Sequence, residues 1–388
     1  MTTVQDERER LEALDRLQIM DTPREERFDR VVRLAQRLFD VPMVAISLVD
    51  DRRQWHKANV GLPYREAPRT DAFCNRTIQQ AGPFVVPDAS VDAEYGDNPL
   101  VLGDPAIRFY AGQPLAAPGG QLVGTLCILD DKPREISPLE LALLRDLADW
   151  VEKEMATDQE LLQAGQVQRR LLPSQEPRLP GYEVVGRCRA AREVGGDFFD
   201  WYSLGDQFQF LVSDVMGKGV AAAIIAASVR AVIRGASRFN ELDEAMNRAA
   251  LTLEHDLAET GTFATLFCAR LDPASHRLSY VDAGHGLNFV LGPDTSVRRL
   301  VSDGLPLGAT FGTPLPVHET TLLPGETLLS VSDGYLDFFA HPREGLTAAQ
   351  ELHRRSSDAH ELVDQISRVV GRSAPLDDVT VVAVARTA

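Results

Sequence analysis

The chain has 388 residues, 44% of them hydrophobic and 25% charged, and a formal net charge of −17. That composition is ordinary for globular protein, and the length suits about two domains of roughly 150–200 residues each. The acidic excess is shared by both halves and no basic run stands out, which argues against nucleic acid or a membrane surface as main partner.

The opening stretch, MTTVQDERERLEALDRL, alternates charge with leucine and lacks the apolar core of a signal peptide. The longest apolar run, residues 220–229, is too short to cross a bilayer, so a cytoplasmic location is expected. Cys74, Cys127, Cys188 and Cys268 are far apart in sequence and form no Cys-x-x-Cys pair. They read as reduced, partly buried thiols.

A helix is expected over residues 6–19, ending near "DTP", and a second in "EERFDRVVRLAQRLF". "MVAISLVD" and "QWHKANVG" then read as one hairpin, and "RFYAGQPLAAPGGQLVGTLCILDD" as another around a Pro-Gly-Gly turn. Residues 1–150 thus form a mixed α/β unit. A linker helix over 137–172 follows, with Ser137 as N-cap, Pro138 at its first position and Glu140 at its third. Leu144, Leu147 and Val151 fit a heptad seam, which Glu154, Asp158 and Gly165 then break. Both a coiled coil and a hinged linker fit that pattern.

The proline-rich "RRLLPSQEPRLPGY" ends the helix and opens a second domain, residues 173–388. Its strand candidates are "YEVVGRCRA", "DFFDWYSL", "QFQFLVSDV", "FATLFCARLD", "RLSYVDAG", "LNFVLG", "ETLLSVSDG" and "DVTVVAVAR". Helices are expected at 219–235, 241–259 and 359–370. Strands in successive hairpins with helices grouped between them indicate antiparallel sheets flanked by helices, an α+β fold.

Four acidic sites in this domain share one grammar. Asp197 follows Gly195-Gly196, Asp214 precedes Met216-Gly217-Lys218-Gly219, Asp333 precedes Gly334, and Asp377-Asp378 open the last strand. Any one of them reads as a turn former. Four beside apolar strands read differently, because converging carboxylates repel and are costly to desolvate unless a cation joins them. Mg²⁺ and Mn²⁺ prefer such hard oxygens, and no His or Cys shares the motifs, which disfavours zinc. Adjacent glycines let a main-chain carbonyl approach as a further ligand.

"EVGGDFFD", "VSDVMGKGVAAA", "DAGH", "SDGYLD" and "LDDVTVVAV" resemble the successive motifs of PPM-type metal-dependent protein phosphatases, in the bacterial group that includes SpoIIE and RsbU. The resemblance covers nearly all of 173–388; the first 150 residues are similar to a GAF domain. It implies an αββα sandwich, with an N-terminal GAF-like sensor and two Mn²⁺ or Mg²⁺ ions. It also implies that Asp214 bridges both ions, that the Val215 carbonyl binds one, that Asp333 and Asp377 hold the other, and that Asp197 supports the second. Asp214 and Asp333 are the catalytic candidates. Asp377 aligns with the family ligand better than Asp378 does.

No residue matches the phosphate-gripping arginine of the eukaryotic members; Arg192 precedes the first motif and is the candidate, though a solvated arginine is the plainer reading. His285 in "DAGHG" is either a general acid or a turn histidine. The function implied is a regulated serine/threonine phosphatase acting on a phosphorylated STAS-type anti-anti-sigma factor, under a small-molecule ligand or dimer rearrangement of the GAF-like domain. A homodimer is expected. The alternative is a phosphatase-fold binding module without turnover, which would be expected to have lost one of the aspartates. Cys74 as a tetrapyrrole attachment point lacks a neighbouring histidine in the sequence.

Overall fold

The apolar stretches of the first 130 residues close into one antiparallel sheet. In the computed structural model, which describes residues 7–294, 296–371 and 375–387, two compact units, 1–160 and 161–388, meet inside a single helix. The first unit begins with α1 (Glu7–Leu17) and α2 (Glu26–Phe39), followed by the hairpin β1 (Met43–Val49) and β2 (Arg53–Val60). Next come β3 (Glu66–Pro68), α3 (Phe73–Thr77), β4 (Phe84–Val86) and α4 (Pro99–Leu102). β5 (Phe109–Ala116) and β6 (Leu122–Asp130) form the second hairpin. The six strands lie in the order β3-β2-β1-β6-β5-β4. α2 buries Phe28, Val31, Val32, Ala35 and Phe39, the stripe its helical spacing creates.

α5 (Pro138–Leu171) starts on a capping box: Glu140 N–H donates to Ser137 Oγ (3.2 Å) and Ser137 N–H to Glu140 Oε2 (2.8 Å). The Leu144–Leu147–Val151 stripe, extended by Ala148 and Met155, packs into the core of the first unit beside Phe28 and Val31. Over this stretch the apolar seam is therefore consumed by its own domain, and a coiled coil cannot also use it. Arg27 forks onto Asp158 further along the helix, with Nη1 2.7 Å from Oδ1.

The second unit is a sandwich of two five-stranded antiparallel sheets. One has β8 (Phe198–Leu204), β9 (Gln207–Val215), β10 (Ala264–Asp272), β11 (Arg277–Ala283) and β14 (His318–Thr321). The other has β7 (Tyr182–Arg189), β12 (Asn288–Leu291), β13 (Val297–Arg299), β15 (Thr327–Val331) and β16 (Val379–Arg386). Phe199, Phe210, Phe267, Leu328, Val382 and Val384 fill the space between the sheets. α6 (Val220–Ser237) and α7 (Leu242–Glu259) cover the first sheet, and α8 (Pro342–Arg355) and α9 (Ala359–Val370) the second. This is the expected αββα layering. α6 runs on past the apolar stretch 220–229 and is, by length and composition, apolar enough to cross a membrane. Ala222, Ala226, Val229 and Ile233 are instead buried against α7 and the sheet.

Candidate metal centre

β9 carries Asp214 and Val215 to its last two positions, opposite Thr265 and Ala264 of β10. Asp197 stands immediately before β8, Asp333 opens a tight 3₁₀ turn two residues after β15, and Asp377-Asp378 immediately precede β16. These segments come from both sheets, so the aspartates gather at one rim of the sandwich.

The glycines make that gathering sterically feasible. A Cβ on Gly195 would lie 2.2 Å from Asp378 Oδ2, one on Gly196 2.6 Å from the Val215 carbonyl oxygen, and one on Gly334 2.1 Å from the Asp378 carbonyl oxygen. Three different strand ends thus approach more closely than any side chain permits. Gly217 (φ +103°) and Gly219 (φ +79°) turn the chain between Asp214 and α6 in conformations that L side chains rarely adopt.

The two C-terminal aspartates have separate tasks. Asp378 is buried, and its carboxylate accepts the backbone N–H of Ala191 (2.7 Å), Gly196 (2.6 Å) and Asp197 (3.3 Å), clamping the loop ahead of β8. Asp377 is half-buried and faces the rim, where Lys218 Nζ sits 2.9 Å from its Oδ2 and donates to the Leu376 carbonyl (2.6 Å).

Electrostatics register the crowding. Burial, and then the charge of Asp214, hold Asp197 well above the carboxylate range. Its Oδ2 is buried with no hydrogen-bond partner. Burial and the charges of Asp333, Asp377 and Asp378 push Asp214 up to about 7. Asp333 is raised by desolvation and by Asp377 and Asp337. Asp337 was not singled out in the sequence, although it closes the "SDGYLD" motif. Among the described residues, no three His, Cys, Asp or Glu side chains already close around one point as a metal site. The donor set nevertheless fits hard divalent cations: it is all oxygen, mutually repelling, and contains a buried carboxylate oxygen with nothing to satisfy it.

The remaining candidates fall outside the cluster. Arg192 is exposed, with its guanidinium 3.9 Å from the point where Gly219 would carry a Cβ. His285 is buried between the Thr265 and Ser330 hydroxyls (3.4 and 3.5 Å), and burial lowers it to about 4. Burial thus favours the neutral imidazole. Its backbone N–H donates to Asp282 (2.8 Å), which also accepts from Ser302 and Asn288.

Two further residues shape the site from behind. Asp200, completely buried, pairs with Arg230 (3.1 Å) and Arg234 (2.9 Å) and so ties β8 to α6. Gln168, near the end of α5, forms a two-way amide clasp on the loop before Asp197. Its Nε2 donates to the Gly195 carbonyl (2.6 Å) and its Oε1 accepts the Gly195 N–H (3.0 Å). Gly165, one turn earlier, packs so closely that a Cβ there would lie 2.1 Å from the Glu193 carbonyl oxygen.

Comparison with known proteins agrees with this architecture. Residues 205–387 match the family "Stage II sporulation protein E (SpoIIE)", and residues 23–155 match the GAF domain family. The chain is 39% identical over 148 residues to a cyclic di-GMP phosphodiesterase of Pseudomonas aeruginosa, covering 38% of this chain and 25% of that protein. It is 22% identical over 221 residues to the phosphoserine phosphatase RsbU of Bacillus subtilis, covering 56% of this chain and 65% of that protein. The chain thus spans from a quarter to just under two thirds of these relatives. Among solved structures, the RsbU and RsbW domains of a Mycobacterium tuberculosis protein align with a TM-score of 0.49 and 28% identity, over 55% of this chain and 63% of that one.

Proposed function

From a chain that joins a GAF domain (residues 23–155) to a SpoIIE-type phosphatase domain (residues 205–387), we propose a regulated, divalent-metal-dependent protein serine/threonine phosphatase. The observation that carries the reading is the rim cluster, above all the buried, unpartnered Oδ2 of Asp197 beside an Asp214 raised to about 7. Two ions, Mn²⁺ or Mg²⁺, would supply charge neutralisation and Lewis-acid activation of a water for attack on the phosphorus of phosphoserine or phosphothreonine.

Each residue has a task in this reading. Asp214 is central, with the charges of Asp333, Asp377 and Asp378 acting on it, and would be a principal ligand. Val215 offers its carbonyl beside Gly196. Asp333 and Asp377 would hold one ion and Asp197 would support the other, while Asp378 fixes the loop that carries Asp197. Lys218 orients Asp377 through their ion pair.

The substrate in this reading is a phosphorylated STAS-type anti-anti-sigma factor. The similarity to RsbU, a phosphoserine phosphatase, supports phosphoserine as the group hydrolysed. The enzyme works in the cytoplasm as a homodimer, and the GAF domain sets its output. The test is phosphate release from a phosphoserine peptide by the full-length protein. Turnover with Mn²⁺ that a chelator abolishes, and that Asp214→Asn lowers by orders of magnitude, supports the proposal. No turnover with either ion refutes it.

A further inference from the structure

The cysteines that lie far apart in sequence do not all stay apart in the fold. Cys74 on α3 and Cys127 on β6 face each other on the side of the first sheet opposite α2, with their sulfurs 4.0 Å apart. Both are buried. Around them stands a polar cradle inside an otherwise apolar cluster. Thr125 Oγ1 donates to Cys74 Sγ (3.0 Å), the Tyr110 hydroxyl lies 3.6 Å from the same sulfur, and Cys127 Sγ donates to the Ala45 carbonyl (3.5 Å). A cavity of about 10 Å³, lined by both cysteines, Gln54, His56, Tyr64 and Tyr110, adjoins the pair. Gln54 Oε1 and His56 Nε2 are buried with no partner. That volume is at most the size of one water, which excludes a tetrapyrrole, so a peroxide reaches the pair only as the surrounding side chains give way.

We propose that Cys74 and Cys127 form a reactive dithiol, which hydroperoxides oxidise to a disulfide within the first unit and small dithiols reduce again. Cys74 attacks. Its sulfur bonds to one peroxide oxygen as the O–O bond breaks, the thiol proton passes to the departing oxygen, and Cys74 sulfenic acid and an alcohol or water result. The Cys127 sulfur then displaces the sulfenic hydroxyl, forming the S–S bond and releasing water. Two electrons leave the sulfur pair and reduce the peroxide. The sulfurs must close from 4.0 Å to about 2 Å.

The assignment of roles follows from the surroundings. Contact with Cys127 and hydrogen bonds from the Thr125 and Tyr110 hydroxyls favour the Cys74 thiolate, lowering it to about 7, whereas contact with Cys74 and burial raise Cys127. Burial pushes Cys268 up to about 12 and raises Cys188 too, and neither has a second sulfur within hydrogen-bonding distance among the described residues, so these two serve as internal references. The inference is independent of the phosphatase reading.

The test treats the reduced full-length protein with excess hydrogen peroxide, blocks free thiols under denaturing conditions, and maps the digest without reductant. The expected result is loss of two of the four thiols and one Cys74–Cys127 cross-linked peptide, two hydrogens lighter than its parts and restored by a dithiol. In Cys127→Ser, a sulfenic-acid trap should label Cys74. Four thiols retained in the wild-type protein, or oxidation spread equally over Cys188 and Cys268, overturns the proposal whether or not the variant folds.

Discussion

Adjacent residues of identical chemistry, Asp377 and Asp378, are set by their surroundings to opposite work. Asp378→Ala would leave the N–H groups of Ala191, Gly196 and Asp197 without their acceptor. At about 1–3 kcal/mol per buried unpaired group, the two buried donors, Gly196 and Asp197, set an expected loss of roughly 2–6 kcal/mol in denaturant unfolding. Asp377→Ala removes a half-buried carboxylate from a repelling cluster, so stability should hold while Mn²⁺ affinity, read by calorimetry, falls. The cluster also fixes a pH dependence. Asp214 titrates near 7 when folded and near its ordinary value when unfolded, so between these pH values the folded state binds the extra proton. Stability of the metal-free protein should therefore fall as pH rises from about 4 to about 7, at about 1.4 kcal/mol per unit of difference for this one group. A thermal unfolding series in chelator checks the sign, and a midpoint rising over that interval would contradict it. The Asp-Gly grammar was legible in the sequence because each motif is local. The clamp made by Asp378 was not, because its partners lie some 182 positions away.

Helix α5 shows how one element serves two masters along its length. Its first five turns supply core for the first unit, and its last turns clasp the loop that presents Asp197. The heptad-like stripe was visible from Leu144, Leu147 and Val151. What it packs against was not, since an apolar stripe meets a partner helix and a domain core with the same spacing. Gln168 was silent in the sequence because a glutamine on an exposed-looking helix end carries no local signal. We expect Gln168→Ala to weaken Mn²⁺ binding about tenfold, roughly 1.4 kcal/mol, by freeing Gly195. Gln168→Glu, which keeps an acceptor for the Gly195 N–H but sets a carboxylate against the Gly195 carbonyl, should not restore it. Unchanged affinity in both variants, by calorimetry on the full chain, would show the clasp to be incidental. α8 escaped the sequence reading for a plain reason. Gly345 sits in its first turn, where glycine weakens a helix signal, and its leucines Leu346 and Leu352 are only partly buried. The edge strands β13 and β14 are three and four residues long and carry mostly polar side chains, too short a pattern for alternation to register.

At the scale of the molecule, the division into a sensor-like unit and a phosphatase-like unit was legible because each hairpin and helix cap is encoded locally, from the Pro-Gly-Gly turn to the Ser137–Glu140 box. The closeness of Cys74 to Cys127, and of Asp200 to Arg230 and Arg234, emerges only from long-range closure of the sheets and helices. The proposed phosphatase depends on divalent ions binding among the rim aspartates around Asp214. The most direct measurement is a calorimetric Mn²⁺ titration of the metal-free full-length protein beside its Asp214→Asn variant, with circular dichroism to confirm that both are folded. The account predicts about two ions bound per wild-type chain, with protons released on binding near neutral pH, and loss of high-affinity binding in the folded variant. Equal Mn²⁺ binding by both proteins, or none by the wild type, would contradict it.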